Sequence, residues 1–138
     1  MTAADRAQHL AEVVGPALDG GRSVVSDRSL YSTLAYQGYG RELDVEELTI
    51  INDWAINACW PETVIFLDTP DELIAERLQE RELDRFEAAG EAFHQRVIEG
   101  FRTMASGNTE RWITVDSRGS IDEVEASIVA ALTERGVL

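Results

Sequence analysis

Apolar residues recur along residues 3 to 19 at Ala7, Leu10, Ala11, Val14 and Leu18, the i, i+3, i+4, i+7 spacing that predicts an amphipathic helix. Gly20-Gly21 stops it. The run Ser23-Val24-Val25-Ser26 predicts a short buried strand with Asp27 and Arg28 at its C-terminal tip. Leu30 to Gln37 suits a helix, interrupted by Gly38-Tyr39-Gly40. Helical spacing returns from Val45 to Cys59 through Leu48, Ile51, Trp54, Ala55 and Ala58, and Pro61 closes that segment.

Thr63 to Asp68 is the clearest strand, β-branched and aromatic. It runs apolar without alternation, as a strand covered on both faces does. Thr69 as N-cap and Pro70 at the first position predict a helix bearing Leu73, Ile74, Arg77 and Leu78. A charged stretch from Glu80 to Glu87 follows. Phe93, Val97, Ile98, Phe101 and Met104 line a longer helix, ended by Gly107-Asn108. Trp112 to Asp116 forms a third strand. Ser120 and Glu123 form a capping box for a last helix striped by Ile121, Val124, Ile128, Ala131 and Leu132. Strands separated by helices predict an α/β fold with a parallel sheet, its strands near 23–27, 63–68 and 111–116.

The length of 138 residues suits one domain with a single core. Net charge is −14, from 26 acids against 12 bases, which argues against a general nucleic-acid partner. Cys59 is the only cysteine, so no disulfide can close within the chain. His9 and His94 are too few and too far apart for a zinc site. The N-terminus carries no signal-peptide core, and no run approaches the ~20 apolar residues of a membrane span. The expectation is a cytoplasmic protein without a membrane partner.

The densest chemistry lies from Asp27 to Gln37. A carboxylate, a guanidinium, the Ser32 and Thr33 hydroxyls, the Tyr36 phenol and the Gln37 amide follow a strand end, where open α/β sheets bind ligands. Such a wall suits a phosphorylated, hydrogen-bonding small molecule. The same residues admit plainer roles. Arg28 can pair with Asp27 or Asp68, and Tyr36 can be core with a satisfied hydroxyl. Arg77, Arg81 and Arg85 alternate with acids and can form a solvated, self-paired helix face.

The ordered motifs resemble the thymidylate kinases, P-loop kinases that transfer a phosphoryl group from ATP to dTMP. The resemblance runs from about Ala3 to Leu132. It comprises Ala4-Asp5-Arg6-Ala7-Gln8-His9 and the pattern DR-x-x-x-S-x-x-AYQG from Asp27 to Gly38, with Arg41 after it. Pro61 to Asp68, Leu83-Asp84-Arg85-Phe86-Glu87 and Arg111 to Asp116 complete it. The resemblance implies that Arg28 holds the dTMP phosphate, through the planar fork a guanidinium offers. Asp27 would lie near Mg2+, through a water, and Arg6 would reach the thymine edge. Ser32, Thr33, Tyr36 and Gln37 would line the thymidine pocket. Arg77, Arg81 and Arg85 would close as a lid over the ATP phosphates, with Arg28, Arg81 and Arg85 stabilising transfer. Ser117 and Arg118 would border the adenine. A homodimer through the first helix and the Leu30–Gln37 segment is implied as well.

One family feature is missing from these residues. The glycine loop of form G-x-x-G-x-G-K, followed by Ser or Thr, is not among them, and all twelve bases are arginine. The aromatic that precedes the family's first helix would fall at Met1 or Thr2, and Ser29 stands where a tyrosine is common. The resemblance places the loop's strand centrally, between those ending at Asp27 and Asp68. Without it, both carry unpaired edges at ~1–3 kcal/mol per buried unpaired group, against a domain stability of ~5–15 kcal/mol. The flanking strands must collapse together, pair with another chain or remain unstable. The expected architecture is therefore an incomplete three-layer P-loop-kinase fold over residues 1–138, a single domain shortened at its N-terminus. Met1 would be an internal methionine of a longer gene product.

Three functions compete. The first is the acceptor and lid portion of a dTMP kinase, inactive alone. The second is a non-catalytic nucleotide-binding module, completed by another chain. The third, an acidic helical interaction protein, requires the motif series to be coincidence.

Overall fold

A computed structural model of the chain describes residues 3–74 and 90–138. They divide into two compact units, residues 3–61 with 95–100, and residues 62–74 and 90–94 with 101–138.

The first unit is helical. α1 (Ala3–His9) passes through a π-helical turn, Leu10–Val14, into α2 (Gly15–Asp19), so the predicted first helix is continuous but widened midway. α3 (Leu30–Thr33) runs into a second π-helical segment, Leu34–Gly40. The glycines expected to interrupt this helix instead lie inside it. Gly38 is needed for space: a Cβ there would fall 2.9 Å from Val45 Cγ2. α4 (Val45–Ala55) starts at Asp44, whose carboxylate accepts from the Glu46 and Glu47 N–H groups at 2.8 and 2.9 Å. Leu30, Leu34, Ala35, Ala55 and Ile56 form the buried apolar centre, with Val97 from the Gln95–Gly100 stretch.

The second unit holds a parallel pair, β1 (Val64–Asp68) and β2 (Trp112–Asp116), in register Val64 to Trp112 through Asp68 to Asp116. α5 (Glu91–Gly107) supplies residues to both units, and α6 (Ile121–Glu134) follows β2. Phe66 stacks on Phe101 at 5.8 Å between centroids and meets Trp112 edge-on at 6.2 Å. The predicted capping box is formed. Ser120 Oγ accepts from Glu123 N–H at 3.3 Å, and Glu123 Oε2 accepts from Ser120 N–H at 2.7 Å. Ser120→Ala is expected to lower stability by about 1 kcal/mol, read as a shift of the urea midpoint at unchanged m-value. No shift would show that the cap contributes nothing.

Two sequence expectations are corrected. The strand at 23–27 does not form: the backbone there is irregular and Val25 is 98% exposed. A strand requires a neighbour for its ladder, and none of the described residues supplies one, so the sheet has two strands rather than three. β1 is not covered on both faces. Ile113 and Val115 of β2 are buried, but their register partners Ile65 and Leu67 are 37% and 46% exposed. The second edge of β1 pairs with no strand among the described residues. The Thr69 hydroxyl bonds Ser117 Oγ at 2.6 Å. Among the described residues, no helix is long and apolar enough to cross a membrane.

Candidate functional site

The polar residues of the first unit converge on the α3–π segment. Arg6, on α1, is buried at 4% exposure. Its Nη2 donates to Thr33 Oγ1 at 2.9 Å and its Nη1 to Asn52 Oδ1. Asn52, on α4, is 1% exposed, and its Nδ2 donates to the Leu48 carbonyl at 2.6 Å. One guanidinium thus ties three helical segments together. Burial lowers the Arg6 pKa from its ordinary value, since desolvation disfavours the charged form.

Asp27 and Arg28 sit in a bend rather than at a strand tip, and both are exposed. Arg28 adopts φ 51°, a left-handed backbone that costs a non-glycine residue energy and that the local fold must hold in place. Its Nη2 donates to the Tyr36 hydroxyl at 3.1 Å, and its Cζ lies 5.6 Å from the Tyr36 ring centroid. The Arg28 fork is held at one corner and exposed beyond it, as an oxyanion site requires. Ser32, Thr33, Tyr36 and Gln37 are half-buried on the same continuous helical segment.

That segment is anchored from α5. Arg96 donates to the Gly40 carbonyl through Nε at 3.1 Å and Nη2 at 2.8 Å, and approaches Glu42 at 4.0 Å. Tyr39 lies against Gly100. Sequence reasoning missed Asn52 and Arg96. The signal for Asn52 was a polar residue four after Leu48 on an apolar stripe; Arg96 carried no comparable signal.

In the second unit, Ser117 is buried and donates to the Asp68 carbonyl at 3.2 Å, tying the strand ends together. Arg118 is exposed and donates through Nε to both carboxylate oxygens of Asp116 at 3.0 and 2.8 Å. The Arg118 side chain holds the Asp116 carboxyl below its usual range. Arg102 donates to Asp68 Oδ1 at 3.1 Å and Asp71 Oδ1 at 3.0 Å; partial burial lowers its pKa, but the two carboxylates outweigh that and raise it overall. Arg77, Arg81 and Arg85 lie outside the described residues. Among the described residues, no three His, Cys, Asp or Glu side chains group as a metal site.

The thymidylate kinase family model matches residues 1–128. The chain belongs to the thymidylate kinase family. It is 41% identical over 140 residues to the thymidylate kinase of Maridesulfovibrio salexigens, covering 96% of this chain and 64% of that protein. It is 43% identical over 137 residues to that of Nitratidesulfovibrio vulgaris, covering 94% and 64%. The chain therefore spans about two-thirds of the length of these thymidylate kinases. A solved thymidylate kinase from Ehrlichia chaffeensis superposes with a TM-score of 0.73 at 24% identity, over 94% of this chain and 62% of that one. At that identity the likeness concerns the fold, the α/β architecture of a P-loop kinase.

Proposed function

We propose that this chain forms the acceptor half of a dTMP kinase, the reaction in which ATP phosphorylates dTMP to dTDP. The observation that carries this reading is the pairing of two cationic anchors with their hydroxyl partners along one segment, Arg28 with Tyr36 and Arg6 with Thr33. Arg28 binds the acceptor phosphate through its exposed fork. Tyr36 steadies that fork and packs the sugar, while Ser32 and Gln37 complete the wall. Arg6 and Thr33 meet the base. Phosphoryl transfer depends on such placement and charge neutralisation rather than covalent chemistry.

The residues for the donor fit less well. ATP phosphates call for a backbone cradle and a lysine, and these 138 residues contain neither a G-x-x-G-x-G-K loop nor any lysine. Mg2+, which would supply charge neutralisation to the transferring phosphoryl group, would meet Asp27 through water, as the family motifs imply. Arg77, Arg81 and Arg85 as lid residues, and Ser117 and Arg118 beside adenine, extend the reading from the family motifs. A homodimer through the first helix is supported by Val13 and Leu18, exposed apolar residues on it. A second reading, a nucleotide-binding module completed by another chain, is favoured by the edge of β1 that pairs with no strand among the described residues.

Calorimetric titration with dTMP tests the acceptor site without requiring ATP. Arg28→Ala is expected to weaken dTMP binding by about 10-fold to 100-fold, as loss of a charge-assisted phosphate contact does, while leaving thymidine binding nearly unchanged. Equal loss for nucleotide and nucleoside would assign Arg28 to folding instead of phosphate binding.

A further inference from the structure

The exposed fork of Arg28 is steadied by Tyr36, and Tyr36 sits on a turn that ordinary helix geometry does not give. Leu34–Gly40 is π-helical, and the Arg41 N–H reaches back five residues to the Tyr36 carbonyl at 3.1 Å. Such turns are rare, because the α-helical register competes with them. In that register the Arg41 N–H would turn to the Gln37 carbonyl instead. Something outside the turn has to favour the wide form.

Arg96 is placed to do so. Gly40 ends the segment and is buried. A buried carbonyl at a helix end needs a donor from elsewhere. Arg96, on α5, gives this one two donors, Nε at 3.1 Å and Nη2 at 2.8 Å. The Gly40 carbonyl and the Arg41 N–H belong to one planar peptide group. Arg96 grips one side of that plane, and the other side donates to the Tyr36 carbonyl. Turning the plane into the α register would draw the Gly40 carbonyl off the guanidinium. The 4.0 Å approach of Arg96 to Glu42 joins two exposed groups and adds little. The line of contacts ends at Arg28, whose Nη2 donates to the Tyr36 hydroxyl at 3.1 Å.

We propose that Arg96 is a positioning residue for the acceptor phosphate. It holds the Gly40–Arg41 peptide in the π register, which fixes Tyr36 and, through its hydroxyl, the Arg28 fork. Arg96 acts on the backbone and not on the ligand. The proposal rests on the acceptor-site reading above and extends it to a residue outside the motif-bearing segment.

The test is calorimetric titration of the 138-residue chain with dTMP and with thymidine, alongside a urea melt for every variant. The preference for dTMP over thymidine measures what the phosphate adds. Arg96→Met keeps the stem and removes the donors. The preference is expected to fall about 5-fold to 10-fold, with thymidine affinity within ~2-fold of the parent. Arg96→Gln leaves one neutral donor, and a fall of about 3-fold is expected. In an Arg28→Ala background neither substitution is expected to lower the preference further, since residues acting through one line of contacts are not additive. A merely structural role would weaken both ligands together, or would add its loss to that of Arg28→Ala. Should the urea melt show Arg96→Met unfolded, Arg96→Gln decides in its place. No binding of dTMP by the unsubstituted chain would overturn the acceptor-site reading and this proposal with it. Given a preference for dTMP in the parent, three results would overturn this proposal only: an undiminished preference in the folded variant, equal loss for both ligands, or a further fall in the Arg28→Ala background.

Discussion

Incubated with dTMP, ATP and Mg2+, the 138-residue polypeptide is expected to form no dTDP above background. In-line transfer requires the γ-phosphoryl group to be held while its charge spreads over three oxygens, and backbone N–H groups and a lysine do most of that work in P-loop enzymes. No residue type here replaces them: the bases are twelve arginines, none within a glycine loop. Losing both the cradle and its point charge removes electrostatic stabilisation worth several powers of ten in rate. Adding a glycine-loop strand and helix from a family relative ahead of Met1 is expected to restore turnover, and Arg28→Ala in that fusion to lower it about 100-fold or more. Radiolabelled ATP and thin-layer separation of dTMP from dTDP give the readout. ATP-dependent dTDP formation by the unfused chain, abolished by Arg28→Ala, would sink the argument.

Gly100→Ala is expected to be the most damaging single methyl addition in the helical unit. A Cβ at position 100 would lie 2.5 Å from Tyr39 Cγ and 2.7 Å from its Cβ and Cδ2. Those atoms sit at the root of the tyrosine, so turning its ring cannot clear them, and the α5 backbone must back away from the Leu34–Gly40 segment. The movement would stretch the Arg96 bonds to the Gly40 carbonyl, which lie on the same face of contact. We expect a loss of about 3 kcal/mol or more, on the order of 10 °C in melting temperature. Tyr39→Ala in the same chain should recover part of it by removing the clash. A Gly100→Ala protein within ~0.5 kcal/mol of the parent, the ordinary range for a harmless surface change, would show that the helices part freely.

Much of this architecture was legible in the chain. The β-branched run at Val64 to Leu67, the capping pair Ser120 and Glu123, and the stripe of α5 each follow from local chemistry, and each is where it was expected. The failure at Val24-Val25 is instructive because the local signal was sound. A strand is a relation between two segments, and periodicity in one segment says nothing about whether its neighbour is there. The same limit hid the π-helical widening at Leu34–Gly40, since hydrogen-bond register leaves little mark on residue type. At the candidate site, the DR and AYQG motifs singled out Arg28 and Tyr36, and the fold brings the two within hydrogen-bonding distance. Asn52 and Arg96 work by holding other groups, a task visible only once three helical segments are brought together. The sequence likewise could not show that Arg6 would be buried to 4% exposure.

The uncovered side of β1 also bears on how the protein behaves in the test tube. Two molecules meeting edge to edge there would continue one sheet across both, with Ile65 and Leu67 of each excluding water at the seam. Mutual repulsion between chains of net charge −14 opposes that meeting. The repulsion reaches about 10 Å in 0.1 M salt and about 3 Å in 1 M. Dilute buffer is thus expected to keep the molecules apart, while strong salt, or acid near the sequence isoelectric point of about 4.4, is expected to favour their joining edge to edge.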